Sequence, residues 1–325
     1  MMAIWDRYEP SERICINLLL RCNLRCGHCN VGSHPERREA LEPEEVELIL
    51  AAAARAGKRH VTFSGGEPML DRSALLAALG AANRLGLASD LETNAFWARS
   101  PVAARDELRV LADSGLQGLV LSADAFHSNQ MALAKTIHAA QAAYAVGLLV
   151  EVNFCPSGDL QRDEAVLARL SEANIEPIMN PFLEIGRGAS AQESAGNRFS
   201  IAELPACDSL TATVHADGAM FSCCEIDDRT KNFDPLPIRT AASWREDREF
   251  ERSNRFRNLL ERFYSPDSPT YFVRMVAKND SFKSLNGKTY QSVCEFCKEC
   301  FSSNQRLAKL VEEDGRNRGE IALDC

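Results

Sequence analysis

The chain has 325 residues, of which 45% are hydrophobic and 26% are charged, a composition typical of a soluble globular protein with one large core. Its net charge of -9 argues against general affinity for nucleic acid, because phosphate backbones attract basic proteins. No apolar run reaches the roughly 20 residues of a membrane helix, and the N-terminus lacks a signal-peptide core. We therefore expect a cytoplasmic protein without membrane or nucleic-acid partners.

The first part of the chain alternates short apolar runs with amphipathic segments. Strands are predicted at 14–20, 60–63, 89–94, 118–122, 148–154 and 175–180. Helices are predicted between them at 43–56, 72–85, 101–114, 129–145 and 163–173. This alternation predicts an α/β protein with parallel strands joined by right-handed crossovers. In parallel barrels, functional groups gather where the strands end, because every loop that follows a strand opens on that side.

The pattern changes near residue 190, which predicts two domains, 1–190 and 191–325. Residues 186–198 are rich in Gly, Ser, Ala and Asn and are interpreted as a linker. A β-hairpin is predicted at 210–223, with a turn at Asp217-Gly218, and helices at 240–263 and 301–311. The arginines of 239–262 are interleaved with acidic residues, which is typical of a solvated helical face.

The chain contains twelve cysteines, many for a cytoplasmic protein. Most of them form three tight groups, at 22/26/29, 207/223/224 and 294/297/300, while Cys15, Cys155 and Cys325 stand alone. In a long acidic chain this grouping favours metal or cluster ligation over disulfide bonds.

The first group, Cys22, Cys26 and Cys29, follows the first strand with the spacing CxxxCxxC. Thiolates this close select zinc or an iron-sulfur cluster. Structural zinc requires four ligands, for which Cys15 is a candidate fourth, whereas a cluster held by three leaves one iron open. The motif, with His28 before its last cysteine, resembles that of the radical S-adenosylmethionine (SAM) superfamily.

The resemblance implies a partial (β/α)6 TIM-like barrel over roughly residues 10–190. It implies that Cys22, Cys26 and Cys29 hold a 4Fe-4S cluster whose open iron binds the amine and carboxylate of SAM. One electron from the cluster then cleaves SAM into methionine and a 5′-deoxyadenosyl radical. An electron donor such as ferredoxin or flavodoxin is the implied partner.

The resemblance also assigns a SAM-binding role to a Gly-Gly-Glu loop after the second strand. Glycines there let the backbone approach a ligand closely, and a carboxylate can receive the ammonium of SAM. Polar residues at later strand ends stand where relatives contact SAM, and a Gly-Arg-Gly segment resembles another such loop. The predicted SAM-contacting residues are His28, Gly65, Gly66, Glu67, Thr93, Asn94, Ser122, Asp124, Asn153 and Arg187. For those at strand ends, capping is the alternative.

The later cysteines resemble the twitch and SPASM auxiliary-cluster domains. The matching residues are Cys207, Gly218, Cys223, Cys294 and Cys297. A zinc ribbon is the alternative, but the neighbouring motif favours an auxiliary 4Fe-4S cluster in a small α+β domain. Because Cys300 follows Cys297 after only two residues, the pattern departs from full SPASM domains and predicts one auxiliary cluster. Whether Cys300 replaces Cys294 as a ligand stays open.

Two other cysteines, Cys155 and Cys224, are candidate hydrogen donors to a substrate radical, a role that thiols have in radical epimerases. The alternative is that each is a small buried hydrophobic residue. His127 is interpreted as a loop residue, with contact to the substrate as the alternative.

The resemblance implies an enzyme that abstracts hydrogen from a C–H bond. The first hypothesis for its substrate is a ribosomally made peptide, modified by crosslinking or epimerisation. The second is a small molecule such as an aminocyclitol or sugar, and the third is a non-catalytic iron-sulfur or zinc protein. Only 21 residues precede Cys22, too few for a fused peptide-recognition domain, so recognition of a peptide would need a separate protein.

Overall fold

The structure is a computed structural model that describes residues 7–128, 131–183, 186–188, 198–204, 211–221, 280–285 and 287–300. For residues 221, 280–282, 297, 298 and 300 it describes the backbone only. The predicted helices at 240–263 and 301–311 lie outside these ranges, as does most of the predicted linker. Among the helices of the described ranges, none combines the length and the apolar character needed to cross a bilayer.

The main sheet contains eight strands in the order β6-β5-β4-β3-β2-β1-β8-β9. Its first six strands are β1 (Arg13–Leu19), β2 (His60–Gly65), β3 (Ala88–Thr93), β4 (Gly118–Ser122), β5 (Leu149–Phe154) and β6 (Ile178–Met179). Each pairs in parallel with the next, which confirms the predicted α/β partial barrel. The carboxyl ends of these strands therefore share one edge.

The connections between these strands are helical. The helices are α1 (Pro43–Arg55), α2 (Arg72–Arg84), α3 (Pro101–Asp113), α4 (Ala125–Ser128), α5 (Leu133–Ala145) and α6 (Leu160–Glu172). The predicted fourth helix begins later than expected, at Leu133, because α4 precedes it as a separate short helix. Helix α6 begins earlier than expected, since the Asp159 side chain accepts a hydrogen bond from the Arg162 amide and caps its first turn.

The main core lies between the helices and one face of the sheet. Alternate strand residues such as Ile16, Phe63 and Leu121 belong to it, together with Ile49 of α1 and Leu79 of α2. The residues between them face the opposite side of the sheet and are mostly polar, including Asn17, Thr62, Ser64, Asp90 and Asn153. A polar inner face is unusual for a barrel packed only by itself, so this face is suited to a polar ligand.

A β-hairpin extends the main sheet beyond β1. Strands β8 (Ala212–Val214) and β9 (Met220–Phe221) pair antiparallel, which confirms the predicted hairpin. Strand β8 also pairs in parallel with β1, with Ile14 opposite Ala212. The sequence did not predict this pairing, since the hairpin was expected to belong to the second domain. The domain division at residue 190 stays a prediction.

The sixth strand is shorter than predicted. Strand β6 covers Ile178–Met179 rather than 175–180, with Pro177 before it and Pro181 two residues after it. Proline has no amide hydrogen to donate to a ladder, which explains the short pairing. Ile178 and Met179 are 45% and 54% exposed, as expected at the open edge of a sheet.

A separate pair of strands lies in the later part of the chain. Strand β7 (Phe199–Ser200) pairs antiparallel with β10 (Thr289–Tyr290), and helix α7 (Val293–Cys300) follows directly. The Tyr290 and Phe296 rings pack edge to face with their centroids 5.1 Å apart. This packing fixes the start of the helix that carries the last cysteine group.

Candidate active site

The cysteine loop, residues 20–34, leaves the carboxyl end of β1. Its two ends meet through a bridge between Arg21 and His34, and the Cys22 amide donates to the His34 carbonyl over 3.3 Å. The Gly-Gly-Glu loop, Gly65–Glu67, leaves the neighbouring strand β2. The parallel pairing of β1 with β2 thus brings the two predicted motifs together.

The backbones of these two loops touch. The Gly66 amide donates to the Leu19 carbonyl over 2.6 Å, and the Glu67 amide donates to the Arg21 carbonyl over 3.0 Å. A Cβ on Gly65 would lie 2.2 Å from the Leu19 oxygen, and one on Gly66 would lie 2.2 Å from the Arg21 oxygen. Gly65 also has a φ of +133°. The glycines are therefore needed to seat the cysteine loop, a reason that the sequence did not reveal.

The three thiols lie in one apolar cluster. Cys22 and Cys26 are buried and pack with Leu24 and Met131, and the half-buried Cys29 packs against them. Structural zinc requires four protein ligands, whereas a cluster held by three leaves one iron open, so three thiols in one loop fit the cluster.

Backbone amides point at two of the sulfurs. The Leu24 amide lies 3.4 Å from Cys22 Sγ, and the Ser33 amide lies 3.3 Å from Cys29 Sγ. Burial raises the pKa of Cys22 to about 12, so that its thiolate requires a metal for stabilisation. Amide donors to sulfur are a common way to stabilise cluster thiolates. The donor set thus fits a 4Fe-4S cluster.

Cys15 does not belong to the thiol cluster. It lies on β1, and its thiol donates to Asn17 Oδ1 over 3.9 Å. The Asn17 amide is in turn 3.3 Å from His215 Nδ1 on the hairpin. Cys15 therefore helps to join β1 to the hairpin, and the structure does not support it as a fourth zinc ligand.

Glu67 is completely buried and joins the ends of β2 and β3. Its carboxylate accepts hydrogen bonds from the Met69 amide at 3.0 Å, the Asn94 amide at 2.8 Å and the Thr93 hydroxyl at 2.9 Å. Burial outweighs these donors and raises the pKa of Glu67 to about 7. The Thr93 hydroxyl also lies 3.1 Å from the second carboxylate oxygen, so both oxygens are hydrogen-bonded.

Asn94 connects Glu67 to the cysteine loop. Its side-chain amide donates to Asn23 Oδ1 over 2.9 Å and lies 3.8 Å from Cys22 Sγ. The chain from Glu67 through Asn94 to Cys22 links the predicted SAM-binding residues to the predicted cluster ligands. Thr93 and Asn94 are therefore more than strand-end caps.

Asp124 follows β4 and lies beside two histidines. Its Oδ1 accepts hydrogen bonds from the backbone amide of His127 at 3.0 Å and from His127 Nδ1 at 2.9 Å, while its Oδ2 lies 3.6 Å from His28 Nε2. Burial favours the neutral forms, but the attraction between Asp124 and His127 outweighs it. The pKa of His127 is raised to about 10 and that of Asp124 is lowered. Burial lowers the pKa of His28 to about 4.

Arg187 fastens the cysteine loop from the far end of the barrel. Its guanidinium donates to the carbonyls of Cys26 and Ser33, the second over 2.6 Å, and its amide donates to the Cys29 carbonyl over 2.9 Å. A Cβ on Gly186 would lie 1.9 Å from the Asn30 oxygen. The Gly-Arg-Gly segment thus clamps the loop that holds the thiols.

The remaining predicted site residues divide into two groups. Ser122, Asn153 and Cys155 lie at the ends of β4 and β5, on the edge that carries the cysteine loop. Asn153 Oδ1 accepts from Asn180 over 2.8 Å, and burial raises the pKa of Cys155 to about 12.

The other group comprises the later cysteines. Cys207, Cys223 and Cys224 lie outside the described residues, Cys294 is buried, and Cys297 and Cys300 have only their backbones described.

Comparisons with known proteins agree with this geometry. Residues 16–175 match the model of the Radical SAM superfamily. The chain carries a radical SAM domain. The superfamily fold implies a 4Fe-4S cluster and SAM, and the described cysteines fit that cluster.

One protein of similar sequence and two similar structures match most of this chain. The putative peptide biosynthesis protein YydG of Bacillus subtilis is 22% identical over 91% of this chain and 94% of its own. A structure of anSMEcpe with bound AdoMet and Cp18Cys peptide has a TM-score of 0.56 at 13% identity, covering 94% of this chain and 97% of that one. The structure of Streptococcus suis SuiB bound to precursor peptide SuiA has a TM-score of 0.53 at 17% identity. The match covers 83% of this chain and 68% of that one.

Sequence reasoning missed one member of the site, His127. It was interpreted as a loop residue, whereas its Nδ1 is hydrogen-bonded to the buried Asp124. The spacing Asp-x-x-His directly after a strand was the available signal. An aspartate there can cap a following helix and bind the side chain three residues later.

Glu67 should make stability depend on pH in the cluster-free protein. The pKa of Glu67 is about 7 in the folded protein and 4.5 in the unfolded chain, so the folded state binds the proton more tightly. Its contribution is present below pH 4.5 and is lost as pH rises through 7, a change of about 3 kcal/mol. Urea unfolding from pH 4.5 to 8 should show this loss in wild type and not in Glu67→Gln. Equal pH profiles would contradict the assignment.

Arg187→Met should weaken the cysteine loop without unfolding the sheet. It removes the two guanidinium hydrogen bonds, and a charged hydrogen bond is worth at least about 1.5 kcal/mol. Iron release to a chelator from reconstituted protein should be at least about tenfold faster than from wild type. Arg162→Met is the matched control, since Arg162 pairs with Asp159 at an exposed helix start. Equal release rates for both variants would exclude the clamp.

Proposed function

We propose that this protein is a radical SAM enzyme that modifies a peptide. The observation that carries the chemistry is the group of three thiols packed together on a loop whose backbone is hydrogen-bonded to the Gly-Gly-Glu loop. Cys22, Cys26 and Cys29 would hold a 4Fe-4S cluster, which would supply the electron for cleavage of SAM to a 5′-deoxyadenosyl radical and so for hydrogen abstraction from a C–H bond.

The chain's own residues hold and orient these groups. The thiols lie in buried surroundings that exclude water, and a reactive radical requires such exclusion. Glu67 is the proposed acceptor for the ammonium of SAM, and Asn94, which donates to it, joins it to the cysteine loop. Of the other proposed SAM contacts, Thr93, Ser122, Asp124 and Asn153 lie at strand ends on the same edge of the barrel.

Arg187 and His28 are also proposed to contact SAM. Arg187 already donates to two carbonyls of the cysteine loop, so any contact it makes with SAM is additional to the clamp. His28 Nδ1 is buried and has no hydrogen-bond partner within the described residues. Its ring packs at 4.4 Å from Phe126, forming an aromatic surface beside the thiols to which a planar base can bind.

A peptide is the proposed substrate class. YydG, which is similar to this chain over 91% of its length, is a putative peptide biosynthesis protein. The structures of SuiB and anSMEcpe, which share the fold, contain peptides. The polar inner face of the barrel is compatible with an amide-rich substrate. The proposed reaction is crosslinking or epimerisation.

The later cysteines are proposed to hold a second cluster. We assign Cys207, Cys223, Cys294 and Cys297, with Cys300 as the alternative to Cys294, to one auxiliary 4Fe-4S cluster. The buried position of Cys294 in α7 supports a ligand role. Cys155 and Cys224 are the proposed hydrogen donors. The raised pKa of Cys155 supports this role, because a donor must keep its S–H. A ferredoxin or flavodoxin and a separate peptide-recognition protein are the proposed partners, and the cytoplasm is the proposed location.

Replacing Cys26 by alanine should abolish SAM cleavage. Two remaining thiolates cannot hold the cluster, so 5′-deoxyadenosine formation under dithionite should fall by at least about a thousandfold. Anaerobic reconstitution followed by chromatography of the products measures this. Cys15→Ala is the matched control, because Cys15 lies outside the thiol cluster, and it should retain cleavage. Wild-type protein with a full complement of iron that forms no 5′-deoxyadenosine would refute the proposed chemistry.

The peptide reaction can be tested in deuterated water with a synthetic peptide encoded beside the gene. Epimerisation with a thiol donor should add one solvent deuterium at carbon, whereas crosslinking should remove two hydrogens without adding one. Mass spectrometry of the product distinguishes the two. Cys155→Ala and Cys224→Ala then separate the donors, since only loss of the true donor stops deuterium incorporation. SAM cleavage that leaves every such peptide unchanged would contradict the substrate class.

A further inference from the structure

The first part of the cysteine loop has a buried side and an exposed side. Over residues 21–27 every second residue is buried, namely Cys22, Leu24 and Cys26. The residues between them, which include Arg21 and Arg25, are exposed. Such alternation is that of extended backbone, whose successive side chains point to opposite sides. The two thiols on the buried side therefore lie directly beneath a solvent-exposed stretch of the chain.

The exposed side is basic, although the chain as a whole is acidic. Residues 21–39 contain four arginines and two glutamates, whereas the whole chain has a net charge of -9. Arg25 pairs with Glu36 at 2.5 Å, and Arg37 pairs with Glu39 at 2.9 Å. The excess of positive charge in this segment therefore comes from the other two arginines.

These two, Arg21 and Arg38, have no acidic partner among the described residues. Arg21 donates a hydrogen bond to the Leu70 carbonyl over 3.4 Å. Arg38 donates to the carbonyls of Pro35 and Arg37 over 3.0 and 3.1 Å. Both residues are exposed. A carbonyl oxygen accepts a hydrogen bond without carrying a full negative charge, so each guanidinium presents its positive charge to solvent.

The two arginines lie on neighbouring stretches of backbone. The Leu20 amide donates to the Glu39 carbonyl over 2.9 Å, so the residue before Arg21 is bonded to the residue after Arg38. A bridge one residue further along joins Leu19 and Ala40. Both charges thus belong to one surface at the base of the cysteine loop. We call this surface, formed by Arg21 and Arg38 with the paired Arg25 and Arg37, the basic patch.

The basic patch is suited to an acidic electron carrier. Electron-transfer complexes are short-lived, bury little area and are guided by complementary charge. A chain with a net charge of -9 repels an acidic carrier, so a local excess of positive charge selects where it can dock. Here that excess lies on the outer side of the loop whose buried side carries Cys22 and Cys26. A carrier bound there is next to the proposed cluster.

We infer that the basic patch is the docking surface for an acidic ferredoxin, which reduces the cluster at Cys22, Cys26 and Cys29. The ferredoxin is oxidised by one electron and the cluster is reduced by one. The apolar surroundings of the thiols disfavour the added negative charge, so the donor must be strongly reducing. Ferredoxin potentials lie towards the low end of the range of iron-sulfur proteins, which favours ferredoxin as the donor. This inference rests on the proposed function, because only a cluster requires the electron.

The test measures binding of ferredoxin to reconstituted protein by isothermal titration calorimetry, a readout that does not depend on turnover. At low ionic strength, Arg21→Glu/Arg38→Glu should raise the Kd at least about tenfold, because two attractive charges become repulsive. In 1 M salt, where the Debye length is only about 3 Å, the variant and wild type should differ by less than about threefold.

Arg105→Glu/Arg169→Glu is the matched control. It changes the net charge by the same amount, but these arginines lie on α3 and α6, outside the cysteine loop. Both are exposed, and neither forms an ion pair within the part of the chain that the structure describes. Its Kd for ferredoxin should stay within about twofold of wild type. Arg38→Glu should also retain formation of 5′-deoxyadenosine under dithionite, a small reductant that needs no docking surface.

The outcomes separate this inference from the proposed function. A wild-type Kd for ferredoxin in Arg21→Glu/Arg38→Glu overturns the inference and leaves the function intact. If that variant fails to retain iron, Arg38→Glu alone replaces it and should raise the Kd at least about threefold; an unchanged Kd again overturns the inference.

Two further results would assign the basic patch to another partner and overturn the inference. One is weaker binding of the synthetic peptide in Arg21→Glu/Arg38→Glu with unchanged binding of ferredoxin. The other is a flavodoxin that binds wild type more tightly than ferredoxin does and loses that affinity in the variant. Wild-type protein with a full complement of iron that forms no 5′-deoxyadenosine under dithionite refutes the proposed function itself, whatever the basic patch binds.

Discussion

The site depends on a direct contact between two loop backbones at the ends of β1 and β2. Leu19 and Arg21 offer carbonyls to the amides of Gly66 and Glu67, and no side chain at Gly65 or Gly66 would fit between them. Parallel pairing alone brings two loops to the same edge, but it does not fix their separation. Here the absence of two Cβ atoms lets hydrogen bonds set that separation.

From this contact a continuous set of polar interactions spreads around the thiols. Glu67 gathers donors from β2 and β3, and Asn94 returns to Cys22. On the other side, Asp124 is hydrogen-bonded to His127, and Arg187, which follows the last parallel strand, donates a hydrogen bond to the Ser33 carbonyl of the cysteine loop. Every strand end from β1 to β4 thus contributes to holding one loop. Such a site is organised before its ligands arrive, which reduces the ordering cost of binding.

Much of the fold could be predicted because its signals are local. Helix caps such as Asp71 and Ser100, and glycines at helix ends, mark where elements begin and stop. The three cysteines and the Gly-Gly-Glu loop could be predicted because their spacing is short. The pairing of β8 with β1 could not, since it joins residues distant in sequence. The short β6 was missed because its apolar residues gave no sign of an open edge.

The position of the hairpin has a consequence for how the enzyme can diversify. Strand β8 is hydrogen-bonded to β1, and Cys223 follows the end of β9 after a single residue. The hairpin that precedes Cys223 in the chain is therefore hydrogen-bonded to the strand that leads into the cysteine loop. A shift of one residue in that ladder would turn every side chain of β8 to the wrong face. Insertions between β6 and β8 can change the length of that connection without changing the register of β8 on β1.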